Sequence, residues 1–142
     1  MMKLRYPAVP LITHSPYFSV WSMDDVPNRT DTCHWTGKSQ PITGTVKVGE
    51  RTYGFLGKSA VPPMETVSVE VSACSTEYAL ESPEVHLKLT FTSPLLLDDL
   101  RVLARPITYI SIEASPKFAL PQDLPLTISL SVGEAVCLDH PG

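Results

Sequence analysis

The chain has 142 residues, of which 43% are hydrophobic and 18% charged, and its formal net charge is −4. This composition is typical of one globular domain with its own core, and it excludes disorder along the whole chain. The negative charge and the lack of any run of Lys or Arg argue against nucleic acid as a partner. No apolar stretch reaches the roughly 20 residues that a membrane-spanning helix needs, so we expect no membrane partner.

The first residues make a poor signal peptide. Pro7 and Pro10 interrupt the apolar stretch in which the helical part of such a peptide would lie. From this chain alone the default prediction is a cytoplasmic protein, and a secreted one if a leader has been removed.

Residues 1–42 are predicted to form a loop-rich aromatic segment packed on the remaining domain. The segment contains both tryptophans, Trp21 and Trp35, and the histidines His14 and His34, while strand character is clear only over residues 17–22. Aromatic, histidine-bearing loops on a plain scaffold are a natural binding surface. The alternative is that the two indoles simply close one end of the core.

Residues 43–142 are predicted to form an antiparallel β-sandwich, so the fold class is all-β and the chain is one domain overall. Apolar and polar residues alternate along five segments, which is the pattern of strands with one solvated face. The five segments are Thr45–Val48, Thr66–Val71, Val85–Phe91, Ile107–Ile112 and Leu126–Val132. The 14 prolines agree with short strands and loops.

The alternation also predicts which side chains point inward. On the segment VHLKLTF these are Val85, Leu87, Leu89 and Phe91, with His86, Lys88 and Thr90 in water. On TVSVEV they are Val67, Val69 and Val71.

Turn residues separate these strands. Gly49-Glu50 is a short hairpin turn, residues 82–84 (Ser-Pro-Glu) form a second turn, and residues 121–125 precede the last strand. Residues 94–104 (PLLLDDLRVLA) are compatible with either a marginal helix or a loop that switches between sheets.

Two apparent motifs fail on inspection. GFLGKS (54–59) resembles the end of a phosphate-binding loop, but Thr52 stands where the first glycine is needed and residues 61–63 (Val-Pro-Pro) prevent the following helix. The acid pairs Asp24-Asp25 and Asp98-Asp99 are sequence neighbours that point to opposite sides of an extended chain, so we interpret them as turn residues or caps.

No other residues form a catalytic or metal site by their spacing. There is no G-x-S-x-G elbow, and the four histidines and three cysteines have no metal-binding spacing, so we predict no catalytic residue, cofactor or metal. Cys33, Cys74 and Cys137 are interpreted as buried or idle thiols. Asn28-Arg29-Thr30 fits the N-glycosylation pattern, which matters only in a secreted eukaryotic protein.

Four blocks of the chain carry a family likeness. They are residues 4–22 (LRYPAVPLITHSPYFSVWS), 33–57 (CHWTGKSQPITGTVKVGERTYGFLG), 62–80 (PPMETVSVEVSACSTEYAL) and 87–113 (LKLTFTSPLLLDDLRVLARPITYISIE). In order and spacing they resemble the N-terminal region of glutaminase A-like proteins. One departure is Cys33, where a polar or basic residue is expected before His-Trp.

The resemblance implies a supersandwich-like N-terminal β-sandwich followed, in family members, by an α/α-toroid domain similar to that of six-hairpin glycosidases. It also implies hydrolysis of L-glutamine to glutamate and ammonia by the intact parent. The chain ends at Gly142, within the region where the sandwich continues in that family, so the resemblance predicts an incomplete sandwich: a fragment without the toroid.

The resulting hypothesis is a non-catalytic accessory domain of a glutaminase A-like hydrolase. Its partner is the α/α-toroid domain, and a small-molecule substrate binds only in the intact parent. The family blocks H-x-P-Y-F-S-x-W-S and H-W-T-G suggest substrate-lining residues at His14, Tyr17, Trp21, His34 and Trp35.

Two other hypotheses remain open. One is an independent carbohydrate- or peptide-binding β-sandwich that uses Tyr17, Trp21 and Trp35 as a stacking platform. The other is a scaffold whose exposed apolar face promotes association.

Overall fold

The structure is a computed structural model that describes residues 5–119, 121 and 124–132. These residues form β1 (Val9–Thr13), β2 (Ser19–Ser22), β3 (Thr32–His34), β4 (Thr43–Val48), β5 (Arg51–Leu56), β6 (Glu65–Val71), β7 (Ser75–Glu81), β8 (Val85–Thr92), the one-turn helix α1 (Leu100–Leu103), β9 (Tyr109–Pro116) and β10 (Leu126–Ser131).

The strands form three sheets in which every pairing of strands is antiparallel. Their orders are β1-β2-β3, β10-β4-β5 and β6-β7-β8-β9. All three sheets contribute to one hydrophobic core, for example through Val20, Phe55 and Leu89. The prediction of an all-β, sandwich-like fold is confirmed.

Strand β8 follows its predicted alternation. Val85, Leu87, Leu89 and Phe91 are buried, at no more than 2% exposure each. His86 and Lys88 lie in solvent, where they face Glu81 and Glu77 on β7. Because β7 and β9 flank it in regular register, this strand anchors the core of the third sheet.

Strand β6 departs from the predicted alternation. A β-bulge between Thr66 and Ser68 makes Val67 the extra residue of β6, and this residue is 51% exposed. The prediction that Val67 points inward is therefore wrong, because the extra residue reverses the face of the strand. Val69 and Val71 lie beyond the bulge and pack against the core as predicted.

Strand β10 also departs from expectation. It pairs regularly with β4, with Leu126 opposite Val48 and Ile128 opposite Val46, yet every residue of Leu126–Ser131 is exposed. Val46 and Val48 are buried, so the apolar side chains of β10 are on the core face of the sheet. They stay exposed because, within the described residues, β10 is an edge strand that pairs with β4 alone.

The first 42 residues are more regular than predicted. Besides β2, inside the predicted strand 17–22, they contain β1 and β3, and the three strands form a sheet of their own. Pro10 obscured β1 in the sequence. A proline is tolerated at this position because β1 is an edge strand and the residue lies next to the bulge between Pro10 and Ile12. The division of the chain at residue 42 stays a prediction.

Two of the predicted turns are confirmed, while the third, at residues 121–125, falls partly outside the described residues. Gly49, with φ of 59°, and Glu50 connect β4 to β5, and residues 82–84 connect β7 to β8. In the helix candidate 94–104 only Leu100–Leu103 is helical, and the Asp99 carboxylate accepts hydrogen bonds from the backbone N–H groups of Arg101 and Val102. Asp99 is therefore a cap, as interpreted from the sequence.

Buried polar contacts join the layers. The side-chain amide of Asn28 donates to the carbonyl oxygens of Gly54 (2.9 Å) and Met64 (2.8 Å), so it links β5 to the start of β6. Between the second and third sheets, Glu84 accepts from Arg51 (2.9 Å) and from the Tyr53 hydroxyl (3.2 Å). Burial raises the pKa of Glu84, but these donors outweigh it and the pKa is lowered.

No helix among the described residues is long and apolar enough to cross a bilayer.

Candidate functional site

Four of the five predicted site residues lie on two neighbouring turns of the first sheet. His14 and Tyr17 are in the turn between β1 and β2, which closes through hydrogen bonds from His14 N and Ser15 N to the carbonyl of Phe18. His34 ends β3, and Trp35 begins a turn that closes through Gly37 N to the carbonyl of His34 (2.8 Å). Gly37 has φ of 88°, a left-handed conformation that favours glycine.

The two turns are joined at one backbone carbonyl. Pro16 O accepts hydrogen bonds from Trp35 Nε1 (2.7 Å) and from His34 Nε2 (3.0 Å). Because a carbonyl only accepts, His34 carries a proton on Nε2. Its Nδ1 is then free to accept from the hydroxyl of Thr36 (2.8 Å) and from the backbone N–H of Thr36 (3.3 Å). The imidazole is thus held in place by hydrogen bonds at both nitrogens.

The rings on these turns form an exposed cluster, which we call the aromatic tip: His14, Tyr17, Phe18, His34 and Trp35. His14 and Phe18 are 6.3 Å apart between ring centroids, and His34 and Trp35 are 5.6 Å apart. Tyr17 is 92% exposed and Trp35 57% exposed. Trp35 therefore does not close the core, and Tyr17 and Trp35 present flat rings to solvent.

Trp21 is separated from the aromatic tip. It lies opposite Cys33 on β3, so its side chain is on the other face of the sheet from His34. Its Nε1 donates to the Ser19 hydroxyl (2.8 Å), and the indole is half-buried. The structure thus brings together His14, Tyr17, His34 and Trp35 but places Trp21 elsewhere.

The first acid pair is held by arginines. Arg5 donates to both carboxylate oxygens of Asp25 (2.9 and 2.7 Å), and Arg29 contacts both oxygens of Asp24 (3.1 and 3.0 Å). The hydrogen bonds from Arg5 hold the pKa of Asp25 well below its ordinary value. Both carboxylates are occupied in ion pairs, in agreement with their interpretation as structural residues.

The thiols differ in their surroundings. Cys33 is half-buried, and burial together with the nearby Asp31 raises its pKa, so its thiol stays protonated. Cys74 is a free and exposed cysteine, so of the two expected alternatives, a buried or an idle thiol, the buried one does not hold at this position. Cys137 lies outside the described residues.

The remaining candidates are structural or exposed. His86 points outward, as predicted, 3.5 Å from Glu81, whereas His140 lies outside the described residues. Within the residues that the structure describes, no three His, Cys, Asp or Glu side chains come together in a way that could hold a metal ion.

Sequence reasoning missed Phe18 and Thr36. Phe18 stands next to Tyr17 in the H-x-P-Y-F block, but only the closed turn shows that its ring packs near His14. Thr36 follows Trp35 and orients His34 from two positions away. The H-W-T-G string contained the signal, since a hydroxyl two residues after a histidine in a tight turn lies within hydrogen-bond reach.

The fold and the tip define an all-β, sandwich-like domain with an exposed aromatic surface, and comparisons with known proteins agree with the resemblance. Two family models match in succession, each described as a domain of unknown function: DUF4964 over residues 1–69 and DUF5127 over residues 74–124. The chain is similar to Glutaminase A of Aspergillus oryzae, with 28% identity over 120 residues.

That alignment covers 77% of this chain but only 17% of the relative, so the chain spans less than a fifth of the relative's length. No solved structure matches the chain significantly. Together the matches support a glutaminase A-like relationship.

Proposed function

We propose that this chain is a non-catalytic N-terminal accessory domain of a glutaminase A-like hydrolase, which supports the parent's fold and lines part of its substrate cleft. The observation that carries the proposal is the unequal coverage of the alignment with Glutaminase A, which includes 77% of this chain but only 17% of the relative. The parent's reaction, hydrolysis of L-glutamine to glutamate and ammonia, then belongs to the intact protein and not to this domain.

The chemistry of the described residues supports a non-catalytic role. Asp24 and Asp25 form ion pairs with Arg29 and Arg5. Both ring nitrogens of His34 are hydrogen-bonded within the protein, to Pro16 O and to the Thr36 hydroxyl, which is typical of a histidine that holds a turn in place.

The aromatic tip supports the second half of the proposal. Its segments, 14–18 and 34–37, contain no Asp, Glu, Lys or Arg, and two of its rings, His34 and Trp35, are held by hydrogen bonds to Pro16 O. Exposed, preorganised aromatic side chains with few charges are typical of the centre of an interface. We propose that the tip faces the α/α-toroid domain of the parent, where Tyr17 and Trp35 contact substrate or the cleft wall.

The direct test is an ammonia-release assay with L-glutamine. The purified 142-residue chain should release no ammonia above buffer, while the Aspergillus oryzae Glutaminase A assayed in parallel serves as the active control. Ammonia release that rises in proportion to the chain's concentration would overturn the non-catalytic assignment.

The proposed partner is tested by the coding sequence beyond Gly142. A long run of helical repeats there supports the toroid partner, and a stop codon directly after Gly142 argues for an independent protein. In a parent with that extension, Tyr17→Ala and Trp35→Ala together should lower kcat/KM at least tenfold. Lys47→Ala, at an exposed position of β4, should leave kcat/KM unchanged.

The second candidate function is an independent carbohydrate- or peptide-binding module. The high exposure of Tyr17 and Trp35 favours it, because flat exposed rings offer stacking surface without further rearrangement. Trp21 cannot share that platform, since it projects from the other face of the sheet.

A further inference from the structure

A small pocket lies on the side of the molecule where Trp21 projects. Its volume is about 190 Å³, and it is bounded by β1, β2, β7 and β8 and by the turn before β7. We call it the indole pocket, and the side chains that matter are Pro10, Trp21, Cys74, Thr76, Phe91 and Ser93. Cys74, which lines one side of the pocket, is exposed. The pocket therefore opens to solvent at Cys74.

Among the residues that the structure describes, no charged side chain lines the indole pocket. An ion entering it would lose part of its hydration without gaining a counter-charge, which is unfavourable. The pocket therefore selects against ionic ligands. Trp21 lines the pocket and its Nε1 already donates to Ser19, so the indole has apolar ring surface but no free N–H group for a ligand.

The pocket has hydroxyl groups with unused hydrogen-bonding capacity. Ser93 is only 7% exposed, and its hydroxyl has no hydrogen-bond partner among the described residues. Thr76 donates its hydroxyl proton to Pro10 O (2.6 Å), which leaves the lone pairs of its oxygen able to accept. The Ser93 hydroxyl is not among the buried side-chain atoms that lack a partner, so it reaches solvent, where a ligand hydroxyl can take the place of water.

We propose that the indole pocket binds one neutral polyhydroxylated ring, a single pyranose unit. Such a ring has a flat face of C–H groups that packs on an indole and a rim of hydroxyls that both donate and accept, which matches Trp21, Ser93 and Thr76. The volume is below the roughly 300–1,000 Å³ of pockets for drug-sized ligands, so it suits one ring and not an oligomer buried along its length. This site is separate from the aromatic tip and does not depend on the proposed accessory function.

The two tryptophans allow the site to be identified by fluorescence. Trp35→Phe leaves Trp21 as the single indole, and Trp21→Phe leaves Trp35. Each variant is titrated with methyl α-D-glucopyranoside, methyl β-D-galactopyranoside and N-acetylglucosamine up to about 50 mM, well above a Kd of about 1 mM. We expect a saturable change in Trp35→Phe with at least one sugar and none in Trp21→Phe; glycerol is the control for bulk solvent effects.

Two further measurements keep the test valid if Trp21→Phe disturbs the fold. The binding sugar should slow alkylation of Cys74 by iodoacetamide several-fold, read by peptide mass spectrometry, while alkylation of Cys33 is unchanged. Ser93→Ala should weaken binding about five- to tenfold, the value of one hydrogen bond.

The proposal is overturned if none of the three sugars gives saturation in Trp35→Phe. It is equally overturned if the signal follows Trp35, because the aromatic tip would then be the binding surface. Neither result involves ammonia release, so failure of this site is distinguishable from failure of the accessory-domain assignment.

Discussion

The structural role of Asn28 differs from the role that its sequence motif indicates. As part of Asn-Arg-Thr it has the form of a glycosylation acceptor, which belongs on an exposed loop. In the folded chain it is 9% exposed, and both hydrogen bonds of its amide go to the backbone, at Gly54 and Met64. Its role is to hold β5 and the start of β6 together.

Replacing Asn28 by Ala should lower the free energy of unfolding by about 1–3 kcal/mol, because the Met64 carbonyl loses a donor in a buried position. Urea denaturation followed by tryptophan fluorescence measures the change. Lys47→Ala, on the exposed side of β4, is the control and should stay within about 0.5 kcal/mol of the parent chain. Equal midpoints for the two variants would show that the amide is not a structural link.

Between elements, the ion pair of Arg5 and Asp25 fastens the residues before β1 to the loop after β2. The two hydrogen bonds from Arg5 stabilise the ionised carboxylate, so the pKa of Asp25 is lower in the folded chain than in the unfolded one. Because this pKa is lowered, the ion pair makes its full contribution to stability at pH values above about 4, the pKa of an aspartate in the unfolded chain. That contribution is lost as the pH falls below this value and through the lower pKa of the folded chain.

Asp25→Asn should therefore flatten the loss of stability on acidification between about pH 5 and pH 2. Urea midpoints recorded across that range measure the slope. Asp98→Asn is the matched control, because Asp98 is exposed and has no ion pair with any described residue. If Asp25→Asn has the same acid profile as Asp98→Asn, the ion pair does not stabilise the native state.

On the scale of the whole molecule, apolar side chains remain exposed along β10. Leu126, Ile128 and Leu130 are 44%, 36% and 38% exposed, although they face the same side of the sheet as the buried Val46 and Val48. The strand contains no charge or proline that would discourage pairing with another chain. The hypothesis of a scaffold with an exposed apolar face rests on this feature.

We expect the isolated chain to self-associate, and Ile128→Thr with Leu130→Thr to reduce this several-fold, because both changes remove apolar surface without altering the strand's β-propensity. Sedimentation velocity at rising protein concentration measures the effect. Thr127→Ser on the opposite face is the control. A wild-type chain that sediments as a monomer at every concentration would contradict the expectation.

The sequence by itself determined the all-β class, the buried face of β8 and the turns at Gly49-Glu50 and 82–84, because side-chain alternation and turn chemistry are properties of neighbouring residues. It also singled out the histidines and aromatic residues of the two turns, which stand close together in short strings.

Only the tertiary structure decided which of these residues meet. The joining of His34 and Trp35 at Pro16 O, the separation of Trp21, the exposure of Val67 and the ion pairs of Asp24 and Asp25 depend on strand register and on contacts between residues far apart in sequence. A one-residue bulge or an edge position reverses the burial of a side chain while local alternation stays the same, so no local pattern could have determined them.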